Sequence, residues 1–424
     1  MDKNSEIYQA YVHILEEELI TAMGCTEPIA LAYAAAKCRE IMKAVPERVI
    51  ARVSGSILKN VKSVIVPNTG GLKGIRAAVA AGFIAGRAEK ELEVISEVTE
   101  EEQKEIKAFV ESTEINVEHL DSGRTFDVMI EAFRGSESVK VRIANYHTNL
   151  VLLEHNGEKL LELPVEGEKE NGLTDRSLLN MEDIWEFATT CELEDIKELL
   201  DFQIKCNVAI AEEGLKGQYG ASIGQVLLSA YGDDVSNRAS AKAAAGSDAR
   251  MSGCEMPVVI NSGSGNQGIT CSVPVVEYAK ELKASDEKLY RALVLSNLVA
   301  IHQKTGIGRL SAFCGAVCAG VAAGAGIAYL KGADYRGIAH TVVNGLAIVS
   351  GMVCDGAKAS CAAKIAFSVN SGILGYEMYV RNHQFYDGDG LVTKGVDNTI
   401  RNIGRLGRDG MRGTNDEIIK IMIE

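Results

Sequence analysis

Ten cysteines are scattered through this 424-residue chain, and five of them sit where neighbouring side chains are small. Cys25 lies in Gly24-Cys25-Thr26-Glu27-Pro28. Cys314 lies in Phe313-Cys314-Gly315-Ala316, with Cys318 one helical turn further. Cys354 lies in Cys354-Asp355-Gly356-Ala357-Lys358, and Cys361 follows it. Glycine neighbours remove bulk that an inorganic cluster would otherwise meet. Thiolates are the ligands of iron–sulfur clusters, and four of them close a structural site. Three would leave one iron with an open position, which a Lewis-acid catalyst needs. The competing interpretation is packing: free cysteine behaves as a small hydrophobe, and spacing alone does not separate the two.

A second constellation is Asn261-Ser262-Gly263-Ser264-Gly265-Asn266-Gln267-Gly268, between two apolar runs. Backbone N–H groups in such a loop form an anion nest, and its hydroxyl and amide side chains add directional contacts. A carboxylate or a phosphate would suit it; an ordinary flexible loop is the alternative. Ser54-Gly55-Ser56 and Asn68-Thr69-Gly70-Gly71 repeat the texture on a smaller scale. No P-loop is present, no GxGxxG is read after a strand, and neither HExxH nor a CxxC pair occurs. Nucleotide chemistry and ordinary zinc sites therefore have no support, and the seven histidines lie apart from one another.

The elements that must position these residues fall into two textures. Residues 5–43 predict two helices, the second Ala-rich, with Thr26 placed to cap it and Pro28 in its first turn. Cys25 then stands at a helix N-terminus, where unpaired N–H groups favour a thiolate. From Val49 to about Leu163 short β-branched runs (VIARVSGSI, SVIVPNT, FDVMIEAFRG, SVKVRIANYHTNLVLLEHNG, KLLELPV) alternate with turns at Arg134-Gly135 and Asn156-Gly157. Helices over 72–87 and 100–111 complete an α+β module, and the charged stretch Glu166 to Asp175 is its exit linker. Beyond Leu178 the pattern is helical, with some helices apolar all round, as befits the middle of a bundle. The expected fold is α+β: a large, mostly helical catalytic domain (1–45 plus 172–424) carrying an inserted α+β domain (46–171).

Bulk properties narrow the partners. With 44 basic and 58 acidic residues the net charge is -14, against a nucleic-acid or anionic-membrane partner. Residues 311–330 are uncharged and long enough to span a bilayer, but Ala and Gly contribute little to insertion, so buried helices are expected there. The N-terminus carries acidic residues inside its first apolar stretch, unlike a signal peptide. With ten cysteines, this points to a reducing, cytoplasmic setting.

Taken together and in order, GCTEP (24–28), NSGSGNQG (261–268), AFCG (312–315) and CDGAKASCAAK (354–364) resemble the L-cysteine desulfidase family, which is related to the iron–sulfur-dependent L-serine dehydratases of bacteria. The resemblance runs through nearly the whole chain. It implies a [4Fe–4S] cluster on three cysteines matching Cys25, Cys314 and Cys354, with its open iron binding substrate. It also implies conversion of L-cysteine to pyruvate, ammonia and sulfide without pyridoxal phosphate. The inserted module looks like the smaller domain of the serine dehydratases. Those enzymes keep their ligands in the C-terminal part, so Cys25 favours the desulfidase branch. Cys318 and Cys361 are then spares near proposed ligands.

The resemblance and the chemistry together suggest roles for further residues. Ser262, Ser264, Asn266 and Gln267 are expected to hold the substrate carboxylate. Lys358 is the candidate base, in a setting whose only other charges between Arg336 and Glu377 are Asp355 and Lys364; Glu27 competes for the role. The alternative for Lys358 is pairing with Asp355. The expected partner is a small amino acid, with a homodimer as the candidate assembly. Serine dehydration is the rival within this chemistry, and a non-enzymatic metal- or redox-sensing protein is the rival outside it. The motifs should converge on one cavity in the helical domain, with the inserted module outside it or at its rim.

Overall fold

A computed structural model describes residues 1–23, 25–165, 173–308 and 310–423, so residues 166–172 of the expected exit linker lie outside the described residues. The fold is α+β, as the patterning predicts.

Helix α1 (Glu6–Glu18) begins at Ser5, whose hydroxyl accepts the Tyr8 N–H, and buries Tyr8, Tyr11, Ile14 and Leu15. A three-residue strand β1 (Thr21–Met23) leads to α2 (Thr26–Met42). Next come β2 (Arg48–Val53), α3 (Gly55–Val61), α4 (Gly74–Ala85) and α5 (Glu100–Ser112). Strands β3 (Glu114–His119), β4 (Asp127–Arg134), β5 (Glu137–Ala144), β6 (Leu150–His155) and β7 (Glu158–Glu162) follow. The sheet runs β3-β2-β4-β5-β6-β7, parallel only between β2 and β3. β2 alternates inward Val49, Ala51 and Val53 with outward residues, as a half-buried strand should. The meander and its turns are where the sequence puts them. Asn156 and Gly157 take φ of 52° and 82°, the left-handed pair that a two-residue hairpin needs.

Three expectations in this module change. SVIVPNT is no strand: it makes a single bridge, Ile65 to Lys73, and then turns through Asn68 at φ 57°. The SGSI end of the first run starts α3 instead of continuing β2, because Gly55 lies under the C-terminal helix, where an added Cβ would meet Ile419 Cδ1 at 2.5 Å. β3 was not anticipated, its single buried residue (Ile115) giving little alternation to read.

The helical part comprises α6 (Met181–Thr190), α7 (Lys197–Lys216), α8 (Ile223–Tyr231) and α9 (Val235–Met251), then strand β8 (Pro257–Val259). After it come α10 (Gly265–Glu281), α11 (Asp286–Ile307), α12 (Gly315–Leu330), α13 (Tyr335–Val349), α14 (Ser360–Val380), α15 (Val396–Arg405) and α16 (Arg412–Ile423). β8 pairs antiparallel with β1. One apolar core gathers α1 with α10 to α15; another gathers α2 with the sheet and α3 to α5. Helix α2, grouped by its Ala-rich texture with the helical part, thus packs on the sheet. Gly82 of α4 comes so near that a Cβ there would lie 2.1 Å from Ala32 O.

Glycine also sets the contact of α12 with α14. A Cβ on Gly324 would stand 2.5 Å from Gly372 Cα, so the two helices touch backbone to backbone. The uncharged stretch 311–330 is therefore mostly a buried helix, α12. Among the described residues no helix is long and apolar enough to cross a membrane.

Candidate functional site

Cys314 and Cys354 are brought together by a single β-bridge. Phe313 and Val353 form an antiparallel bridge, flanked by Cys314 N–H to Met352 O at 3.0 Å and Cys354 N–H to Ala312 O at 2.6 Å. Cys314 caps α12 with extended dihedrals (φ -70°, ψ 122°), and Cys354 lies on the loop leading into α14. The Cys314 thiol donates to Cys354. Helped by Lys59 and Lys304 and opposed by burial, that contact holds Cys354 well below the ordinary thiol range. The Cys314 thiol is pushed up by the same contact and by burial.

Cys25 has opposite surroundings. It occupies the N-cap position of α2 (φ -86°, ψ 131°), and Thr26, expected to cap, is the first helical residue. Its Sγ donates to Glu27 Oε2 at 3.1 Å. Burial and the Glu27 carboxylate push the thiol well above its usual range. Glu27 also accepts from Thr26 Oγ1 at 3.2 Å and, through Oε1, from Asn60 Nδ2 at 3.0 Å. Burial opposes its ionisation, but His147, the Cys25 thiol and Arg250 hold its carboxyl below the ordinary range.

The glycine-rich loop closes the space between these ends. Gly263, Gly265 and Gly268 do have GxGxxG spacing, after strand β8 and into α10, a placement the sequence reading missed. β8 is paired with β1 alone in a two-stranded antiparallel sheet, so the glycines belong to no parallel βαβ unit. Their role is close approach: a Cβ on Gly265 would lie 2.3 Å from Arg250 Nε, and one on Gly268 would lie 2.0 Å from Val259 O. Asn261 anchors the loop from below through Asn297 Oδ1 at 3.0 Å, and Ser262 Oγ donates to Asn261 Oδ1 at 2.8 Å. Asn266 Oδ1 accepts from Arg250 Nη1 at 3.2 Å.

Cys25, Glu27, Ser262, Ser264, Asn266, Gln267, Cys314, Cys354 and Cys361 all line one cavity of about 140 Å3. Three helix N-termini, those of α2, α10 and α12, meet there, each presenting first-turn N–H groups. The inserted module forms a wall, through Asn60, Thr125, Phe126, Asn145 and His147, and the helical part adds the buried cations Arg250 and Lys304. None of these wall residues, nor either cation, was singled out from the sequence. They stand alone in their segments, and only an isolated buried charge would have hinted at them.

Lys358 lies elsewhere. It lines an outer cleft of about 590 Å3 beside Lys59, Lys364 and Ile421 of α16. Its Nζ reaches Asp355 Oδ1 at 2.5 Å and the Asp355 and Gly356 carbonyls at 3.2 and 3.3 Å. Lys364 grips the same loop through Val353 O at 2.7 Å and Asp355 Oδ1 at 2.5 Å. Both lysines clamp the Cys354 loop from outside. Gly356, at φ 95°, completes its shape: a Cβ there would lie 2.2 Å from Lys59 O. Cys318 is fully buried in α12, its thiol pushed up to about 11 by burial.

Among the described residues no three His, Cys, Asp or Glu side chains meet closely enough for a single metal ion. A cubane needs no such meeting, since thiolates around it stand about 6–7 Å apart. Three thiols on separate elements around one cavity, one of them shifted toward the thiolate by its neighbours, fit that donor set.

Fold and site together define an α+β protein with a buried, cysteine-lined cavity between a helical part and a sheet module. Residues 89–420 match the family described as serine dehydratase alpha chain. Similar chains include a UPF0597 protein of Desulfitobacterium hafniense, 60% identical over 423 residues (100% of this chain, 98% of the relative). One from Treponema denticola is 45% identical over 430 residues (100% and 99%), and one from Clostridium perfringens 39% over 422 (98% and 98%). The chain belongs to the serine dehydratase alpha chain family. That membership suggests an enzyme, a lyase of the serine dehydratase type, and the family is associated with iron–sulfur cofactors.

Proposed function

We propose that the chain is an L-cysteine desulfidase, eliminating sulfide from L-cysteine to leave pyruvate and ammonia, with a [4Fe–4S] cluster held by Cys25, Cys314 and Cys354. The observation that carries this reading is the gathering of those three cysteines and the NSGSGNQG loop around one cavity. The family match over 89–420 supports the lyase part of this reading, and the choice of cysteine over serine rests on the resemblance of the four motifs.

When bound, the cluster supplies a Lewis-acidic iron that takes up negative charge developing on the leaving sulfur. The chain's own residues do the rest. Arg250, held by Asn266, and the α10 N–H groups receive the substrate carboxylate, whose burial without a cation would be costly. Ser262 and Ser264 shape that end of the cavity. Glu27 Oε2 accepts from the Cys25 thiol, and a thiolate ligand has no proton to donate, so this oxygen becomes the acceptor for the α-proton. The C–H pair forms the Cα=Cβ bond as the C–S pair leaves with sulfur; the resulting aminoacrylate tautomerises and hydrolyses to pyruvate and ammonia. Lys358, clamped to the Cys354 loop, takes no part in proton transfer.

Anaerobic purification, iron and acid-labile sulfide analysis, and turnover of L-cysteine against L-serine test the reading. Bound iron with faster sulfide release from cysteine is expected. Faster pyruvate release from serine would make the chain a serine dehydratase, and iron-free protein inert toward both would sink the lyase.

A further inference from the structure

Two buried acceptors in the cavity wall have no role in the scheme above. Asn60, on α3 of the inserted module, and Gln267, in the first turn of α10, are 8% and 5% exposed, and both line the cavity. Asn60 Oδ1 and Gln267 Oε1 are each buried without a hydrogen-bond partner among the described residues. The Asn60 Nδ2 donates to Glu27 Oε1 at 3.0 Å, so Oδ1 is the atom left over. Gln267 is held in place by Gly315, where an added Cβ would lie 2.7 Å from its amide carbon. A buried acceptor left unsatisfied is costly, so two beside one cavity favour a ligand that brings donors to them.

We propose that Asn60 and Gln267, with the Glu27 carboxylate, form the receptor for the substrate's α-ammonium group. This rests on the amino-acid lyase reading and names the part of the substrate that the two amides select. The ammonium brings three N–H donors, enough for both amide oxygens and the carboxylate. Arg250 takes the carboxylate of the same molecule. The arrangement also explains why the inserted module forms a wall: Asn60 gives it a direct contact with substrate. A site built to hydrogen-bond one group rejects analogues lacking it, because its own polar atoms are then left unpaired.

Calorimetric titration of the anaerobically purified, full-length holoenzyme with L-alanine, which lacks a leaving group, tests this without turnover. L-Alanine should bind at least about tenfold more tightly than propionate or N-acetyl-L-alanine. Asn60→Leu and Gln267→Leu should each weaken L-alanine about tenfold and leave propionate unchanged, whereas Gln267→Glu should tighten L-alanine. Equal binding of the N-acetylated ligand, no binding of L-alanine to the wild type, or equal loss in Gln267→Leu and Gln267→Glu would overturn the assignment. Selective L-alanine binding by a protein that releases no sulfide from cysteine would instead overturn the desulfidase reading and leave this one standing.

Discussion

The two ends of the cavity hold the same functional group in opposite surroundings. At the α2 end, Cys25 donates to Glu27 and stays protonated; at the α12–α14 end, Cys354 receives a hydrogen bond from Cys314 and lies beside Lys59 and Lys304. Burial raises both thiols, so the difference comes from partners: an anion next to a thiol disfavours the thiolate, and cations favour it. A cysteine's exposure or helix position therefore does not tell its charge state. Cys25 and Cys314 both cap helices, the setting expected to lower a thiol, and both are pushed up instead.

The strongest way to break this comparison is to remove the thiols. Cys25→Ala, Cys314→Ala and Cys354→Ala should each abolish sulfide release and strip bound iron, while Cys318→Ala, inside α12, should keep both. Iron loss in Cys318→Ala alongside retention in any of the other three would show that the ligand set is wrong.

A subtler intervention exchanges surroundings. In iron-free protein Cys354 should be alkylated by iodoacetamide below the ordinary thiol range and Cys25 only above it, because their partners shift them in opposite directions. Lys59→Met removes a cation from the Cys354 end alone. The pH midpoint for Cys354 should rise and that for Cys25 should stay put, as read by peptide mass spectrometry. Equal movement of both would mean the lysine acts through the fold and not through charge.

The smallest effect belongs to the outer clamp. Burial raises the Asp355 carboxyl, but Lys358 and Lys364 outweigh it and bring the group from 3.8 to about 2. A carboxyl depressed on folding adds stability that is fully present above the unfolded value and is lost as pH falls through the folded one. The Asp355 side chain is 42% exposed, so screening leaves about 1 kcal/mol of that coupling. Asp355→Asn should lower stability by this amount at neutral pH and make no difference below about pH 2, as measured by urea unfolding. An unchanged difference across that range would show the clamp to be something other than an ion pair.

Local pattern alone was enough to read the α+β class, the meander with its Asn156-Gly157 turn, the start of a helix immediately after Cys25, and the order of four motifs. These depend on residue period and on turn and cap chemistry, which act over a few neighbours. Where tertiary packing overrides the local signal, as at Gly55 under Ile419, the strand reading failed. The composition of the site was decided at still longer range. Backbone contact between α12 and α14 and the Phe313–Val353 bridge place two distant cysteines side by side. The packing of α2 on the sheet module brings Glu27 to Asn60, and Gly265 lets Arg250 reach Asn266. Lys358 reads from the sequence either as a base or as a partner of Asp355, and the folded chain has it paired with Asp355 outside the cavity. A residue's type proposes what chemistry it can do; which charges and orphaned acceptors it faces depends on backbones that only the folded chain brings together.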